Sequence, residues 1–100
     1  MKILLDIDDT AIITKDRGKT WNEHPRLKEL IAKHDVVLYS GNPDIEEYHK
    51  KWKTKGFISK STEYTPLADV LIDNDYKLWK NNVNVKKCYS SIAQYFRYNR

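Results

Sequence analysis

The chain carries one cysteine, Cys88, in 100 residues. A single thiol cannot close an internal disulfide, and no Cys/His spacing suggests a zinc site. Cys88 is expected to be a small packed residue. No apolar run approaches the length of a membrane span, and no signal-peptide pattern is present. Repeats and low-complexity tracts are absent. These absences exclude a disulfide scaffold and a membrane-spanning protein. They lead to the expectation of a cytoplasmic protein with no membrane partner. Acidic residues are also missing from Tyr76 to Arg100, where Lys77, Lys80, Lys86, Lys87, Arg97 and Arg100 are all basic.

Apolar residues make up 40% of the chain, aromatic residues 12% and charged residues 32%, which suits a folded domain and not a disordered segment. One hundred residues form one small domain, 1–100. Lys and Arg number 18 against 14 Asp and Glu, a net charge of +4. A second basic run holds Lys50, Lys51, Lys53 and Lys55, while acids gather at Asp6–Asp9 and Asp69–Asp75. A basic surface around an acidic centre fits a phosphorylated substrate.

The segment Ile3-Leu4-Leu5 is apolar without alternation, the pattern of a strand buried on both faces of a parallel sheet. It ends in Asp6, Asp8 and Asp9. Residues two apart on an extended chain point to the same side, and like charges placed together repel. Two arrangements relieve the repulsion. A hard divalent cation such as Mg²⁺ can be held by carboxylate oxygens. Alternatively, one Asp stays ionised as a nucleophile while the other carries a proton as a general acid. A merely capped strand end would need neither the apolar strand nor D-x-D-x-T.

Further along, Asp16-Arg17-Gly18 marks a turn between two short strands, a small hairpin over the end of the first strand. Asn22-Glu23-His24-Pro25 should start a helix carrying Leu27, Leu30 and Ile31 and ending at His34. Val36–Tyr39 reads as a second buried strand, followed by Ser40-Gly41-Asn42-Pro43. There Asn42 should cap a helix beginning at Pro43, a phosphate-binding arrangement involving Ser40, Gly41 and Asn42. That helix should run to Lys55 with Ile45, Tyr48 and Trp52 on one face and Gly56 as its C-cap. Phe57-Ile58 reads as a short strand and 59–66 as a loop. Val70-Leu71-Ile72 is a third buried strand, ending in Asp73-Asn74-Asp75. A weak edge strand is expected through Val83 and Val85. Ser91 and Gln94 form a capping box ahead of a helix packing through Ile92, Tyr95 and Phe96.

Leu4-Leu5-Asp6-Ile7-Asp8-Asp9-Thr10 resembles the first motif of the haloacid dehalogenase superfamily, mostly Mg²⁺-dependent phosphatases that work through an aspartyl-phosphate. Ser40 resembles the second motif, and Asp73 the fourth. Pro66-Leu67-Ala68-Asp69-Val70-Leu71-Ile72-Asp73 is similar to small capless phosphatases of that group. Two positions depart from the pattern: Asn74 replaces a second Asp, and Thr65 stands where a lysine precedes the proline. Lys60 is the nearest upstream cation.

The resemblance implies an α/β, three-layer Rossmannoid domain with a mainly parallel sheet of four or five strands and no cap domain. It further implies phosphomonoester hydrolysis, on nucleotides or nucleic-acid ends or on a phosphorylated small molecule. Asp6 would be the nucleophile and Asp8 the acid and base. Mg²⁺ would be held by Asp6, Asp73 and the Asp8 carbonyl, with Asp75 on metal-bound water. Thr10 and Ser40 would position the aspartates and the phosphoryl group, and Lys60 would supply positive charge. The alternative is a catalytically inactive binding protein on the same fold, its basic tail and Tyr76, Trp79, Tyr89, Tyr95, Phe96 and Tyr98 engaging nucleic acid.

Overall fold

A computed structural model describes residues 1–61 and 63–100. The loop expected over 59–66 includes position 62, which lies outside the described residues. In chain order the elements are β1 (Lys2–Leu5), β2 (Ile12–Ile13), β3 (Asn22–Glu23), α1 (Leu27–Lys33), β4 (Asp35–Ser40), α2 (Ile45–Trp52) and β5 (Gly56–Ser59). They continue with β6 (Val70–Ile72), α3 (Tyr76–Trp79), a 3₁₀ turn (Lys80–Asn82), β7 (Lys87–Tyr89) and α4 (Ile92–Tyr98).

Five strands pair in the order β5-β4-β1-β6-β7, every ladder parallel, and helices flank the sheet. The domain is therefore α/β. The centre of the sheet is built from the three apolar runs. On β1, Ile3 and Leu5 enter one apolar cluster with α1, α2 and α4, while Leu4 enters a second cluster with Tyr39, Leu71 and Trp79. A strand that loses water from both faces has no position for a polar side chain, which explains the lack of alternation. The chain adds β4 and β5 on one side of β1 and β6 and β7 on the other. The strand order thus reverses at β1, and the crevice outside the carboxyl ends there is where such sheets take ligands.

Several boundaries differ from expectation. Asn22-Glu23 does not start a helix: it pairs antiparallel with Ile12-Ile13, and the His24 amide donates to the Ala11 carbonyl at 2.7 Å. This hairpin is closed by Asp16, whose carboxylate accepts from the Thr20 amide at 2.8 Å and the Thr20 hydroxyl at 2.6 Å. Asn42 does not cap α2. Its side-chain oxygen accepts from the Asp44 amide at 2.8 Å, forming a turn ahead of the helix, which begins at Ile45. Lys53, at φ 56°, ends α2 in place of Gly56, which opens β5.

The edge strand lies at Lys87–Tyr89 and not through Val83 and Val85. Val83 is buried in the second cluster, and only Leu67 and Asn84 bridge in that segment. Ser91 does cap α4, accepting from the Gln94 amide at 2.9 Å. Among the described residues no helix is long and apolar enough to cross a membrane.

Leu71 is fully buried at the centre of the sheet, whereas Leu78 on α3 is 68% exposed. Leu71→Ala should cost about 2–5 kcal/mol of unfolding free energy. Leu78→Ala should change it by no more than about 0.5 kcal/mol. Urea titrations followed by circular dichroism measure both, and equal costs would contradict the core assignment.

Candidate active site

The register of the central strands builds the site. Leu5 pairs with Ile72, so the next residues, Asp6 and Asp73, emerge side by side, and the Asp6 amide donates to the Ile72 carbonyl at 3.0 Å. On the other side Ser40 pairs with Ser59, the last residue of β5. Lys60 follows, its amide donating to the Ser40 carbonyl at 3.0 Å. That bond fixes the lysine backbone at the carboxyl edge, two strands away from β1.

Its side chain reaches back across the edge. The Lys60 ammonium lies 3.2 Å from Asp6 Oδ1 and 2.7 Å from Asp73 Oδ2. All three side chains are shielded, with 10% exposure for Lys60, 8% for Asp6 and none for Asp73. Removing Lys60 would leave two shielded carboxylates together without a counter-charge. Asp73 Oδ1 accepts from the Asp75 amide at 2.8 Å. The lysine therefore joins the two strand ends through charge-assisted hydrogen bonds.

After Asp6 the chain leaves the sheet in a tight loop. The Ile7 carbonyl accepts from the amides of Thr10, Ala11 and Ile12, and Asp9 takes a left-handed conformation at φ 60°. The loop folds Thr10 back onto the cluster, where its hydroxyl donates to Asp6 Oδ2 at 3.3 Å. Asn74 completes this side: its amide N–H donates to the Thr10 hydroxyl at 3.1 Å, and its side chain contacts the same oxygen at 3.1 Å. The departure from a second Asp thus places a neutral amide against Thr10.

Asp8 is placed by the loop and not by strand alternation, because the strand ends at Leu5. Its carboxylate accepts from the Asn42 side-chain amide at 3.1 Å. The buried Ser40 hydroxyl accepts from the Asn42 backbone amide at 3.0 Å, leaving its own O–H free to donate. Asn42 therefore orients Asp8 and Ser40 together. Gly41 is exposed, with open space where a side chain would stand. Asp75 is exposed and contributes its backbone amide to the cluster. Beside it opens a cavity of about 510 Å³ lined by Asn74, Asp75, Tyr76, Lys77, Leu78 and Ser90, while a separate cavity of about 520 Å³ on the α1–α4 face is lined by Arg26, Lys33, Arg97 and Arg100 among others.

Burial, then the neighbouring charge of Asp73, pushes the Asp6 carboxyl up from 3.8 to about 6, while Lys60 holds it lower than it would otherwise be. The carboxylate oxygens of Asp6 and Asp73 are hard donors of the kind Mg²⁺ takes. The point on which Asp6 Oδ1 and Asp73 Oδ2 converge is held here by the Lys60 ammonium. Among the described residues no group of three or more His, Cys, Asp or Glu is arranged as a metal centre. The donor chemistry fits the ion through two carboxylates, with the lysine as its competitor.

Sequence reasoning did not place Asn74, Trp79 or Tyr39 at the site. Asn74 could have been found from the parallel register, since it follows Asp73. The ring of Trp79 lies 4.6 Å from the Lys60 ammonium and that of Tyr39 5.7 Å. Of the aromatic residues expected to meet nucleic acid, Tyr89, Tyr95 and Phe96 are instead buried in the apolar core. Comparison with protein-family models, curated proteins and solved structures returns no match.

Asp6 binds its proton more tightly folded than unfolded, so ionising it destabilises the fold as pH rises from about 4 to about 6. Asp6→Asn should therefore raise unfolding free energy at pH 7 by on the order of 1–3 kcal/mol, a gain that disappears below about pH 4. Thermal unfolding of both proteins across this range measures it. A variant less stable than the parent at pH 7 would show that the Lys60 pairing outweighs desolvation.

Proposed function

We propose that the protein is a cytoplasmic, Mg²⁺-dependent phosphomonoester hydrolase of the haloacid dehalogenase type, on a three-layer Rossmannoid domain, working through an aspartyl-phosphate on Asp6. The observation that carries this reading is the Asp6–Lys60–Asp73 cluster at the carboxyl edge where the strand order reverses.

Phosphoryl transfer brings an anionic nucleophile to an anionic phosphate, and catalysis consists mainly of positioning and charge compensation. Asp6 is held by Thr10 and Lys60 with its carboxylate fixed at the strand end. It attacks phosphorus, forming an O–P bond as the ester O–P bond breaks. Asp8, oriented by Asn42, gives its proton to the leaving oxygen and then takes one from the water that hydrolyses the phospho-aspartate. Ser40 donates to a phosphoryl oxygen. Lys60 has three N–H groups and two are used by the aspartates, so one remains for the phosphoryl group. Mg²⁺ would be held by the carboxylate lone pairs of Asp6 and Asp73 that Lys60 leaves open, with Asp75 near its water shell, and would supply further compensation of negative charge.

Nucleic-acid ends are the favoured substrates over small phosphorylated molecules. The segment after Asp75 carries Lys77, Lys80, Lys86, Lys87, Arg97 and Arg100 and no acid, and Lys77 lines the cavity beside Asn74 and Asp75, a distribution suited to a polyanion. A phosphorylated oligonucleotide should therefore bind more tightly than a mononucleotide, and its affinity should fall with salt. Fluorescence anisotropy at several salt concentrations measures this, and equal affinities without a salt slope would remove the nucleic-acid assignment.

Release of phosphate from an aryl phosphate should require Mg²⁺. It should vanish in Asp6→Asn and fall on the order of 10²-fold in Lys60→Ala. A folded Asp6→Asn protein with near-normal turnover would overturn the mechanism. A folded parent protein inert toward aryl phosphates and phosphorylated oligonucleotides alike would favour the non-catalytic binding reading.

A further inference from the structure

The Lys60 ammonium meets two carboxylates and lies within reach of two aromatic rings. Trp79, the last residue of α3, places its ring centroid 4.6 Å from the nitrogen, and the Tyr39 ring lies 5.7 Å away. The two rings meet edge to face, 6.2 Å apart at 89°. Tyr39 is buried on β4 and fixes the indole by that contact. Trp79 is delivered by the segment that follows Asp73, so one stretch of chain supplies both the anion and the ring that confine the lysine.

We propose that Trp79 is the positioning residue of Lys60: its indole face holds the ammonium against Asp6 and Asp73 without consuming a donor hydrogen. The inference rests on the proposed hydrolytic role of the cluster. Its reason is chemical. Lys carries a flexible four-carbon stem, and Lys60 stands in a segment that joins two strands of the sheet, so the stem alone does not hold the head in place. A third carboxylate or carbonyl would hold it but would take the remaining N–H. A ring attracts the charge through its quadrupole, and at 4.6 Å the indole is too distant for an N–H to be spent on it. The ring thus helps hold the lysine while one donor stays free for the phosphoryl oxygen.

Trp79→Leu keeps apolar bulk in the second cluster and removes the ring, while Trp79→Phe keeps a ring. Trp79→Leu should lower kcat for an aryl phosphate about tenfold with KM nearly unchanged, the size of a cation–π contact at a shielded site. Trp79→Phe should recover most of the loss. In a Lys60→Ala background, Trp79→Leu should have no further effect, because the ring acts only through the lysine. Independently of turnover, proton NMR of the Lys60 side chain should show upfield ring-current shifts in the parent and in Trp79→Phe. Those shifts should shrink sharply in Trp79→Leu, to what the more distant Tyr39 ring contributes.

Unchanged kcat in Trp79→Leu, or a loss that persists without Lys60, would overturn the positioning role. So would identical Lys60 shifts in the parent and Trp79→Leu. A parent protein without phosphatase activity would overturn the hydrolytic reading instead, and the NMR comparison alone would then decide whether Trp79 holds Lys60.

Discussion

Two aspartates on neighbouring parallel strands cannot both be buried and charged without a cation between them. Asp6 and Asp73 are forced together by the pairing of Leu5 with Ile72, and the apolar clusters around β1 and β6 exclude the water that would otherwise screen them. Lys60 answers this constraint, reaching both carboxylates from the end of β5. Much of the local architecture follows from the need to hold that contact. The Lys60 amide is tied to Ser40, the Asp73 carboxylate to the Asp75 amide, and Asp6 to a loop folded on the Ile7 carbonyl. Asp6 keeps a proton affinity well above that of an exposed carboxyl even so. Burial of the ionised Asp6 thus costs local stability that Lys60 offsets only in part.

The sheet could be read from the chain because its three central strands are buried on both faces. Ile3-Leu4-Leu5, Val36-Val37-Leu38 and Val70-Leu71-Ile72 have no position at which a polar side chain could stand, so composition alone reveals them. The edge strand could not be read in the same way. Lys87-Cys88-Tyr89 has one buried residue, and it is a strand because Tyr89 pairs with Ile72, a partner far away in sequence. Val83 and Val85 offered a stronger local signal, yet they pack beneath the sheet, where burial does not require pairing. Helix ends failed for a related reason. Asn42 has the chemistry of an N-cap, but it spends that chemistry on a turn and on Asp8.

The acidic half of the site was legible because carboxylates at the ends of apolar strands have few structural uses. Lys60 was the nearest cation upstream of Thr65, where the resembled pattern has its lysine. What could not be read was its surroundings. The contact with Trp79 depends on the exit of β5 and the end of α3 meeting across the sheet edge. No spacing along the chain encodes that meeting. Asn74 looked like a loss when compared with a second Asp, whereas in the fold it pairs with Thr10 through both its backbone and side chain. An acid there would have added a third negative charge to a buried pair.

The proposed chemistry turns on a covalent step at Asp6, and that step leaves a mark. The protein is mixed with an aryl phosphate and Mg²⁺, quenched in acid within the first turnover, digested and mapped by mass spectrometry. The account predicts one phosphoryl group on the peptide that contains Asp6, absent when the substrate or Mg²⁺ is omitted. Phosphate release with that peptide unmodified, or with the phosphoryl group on another residue, would contradict it.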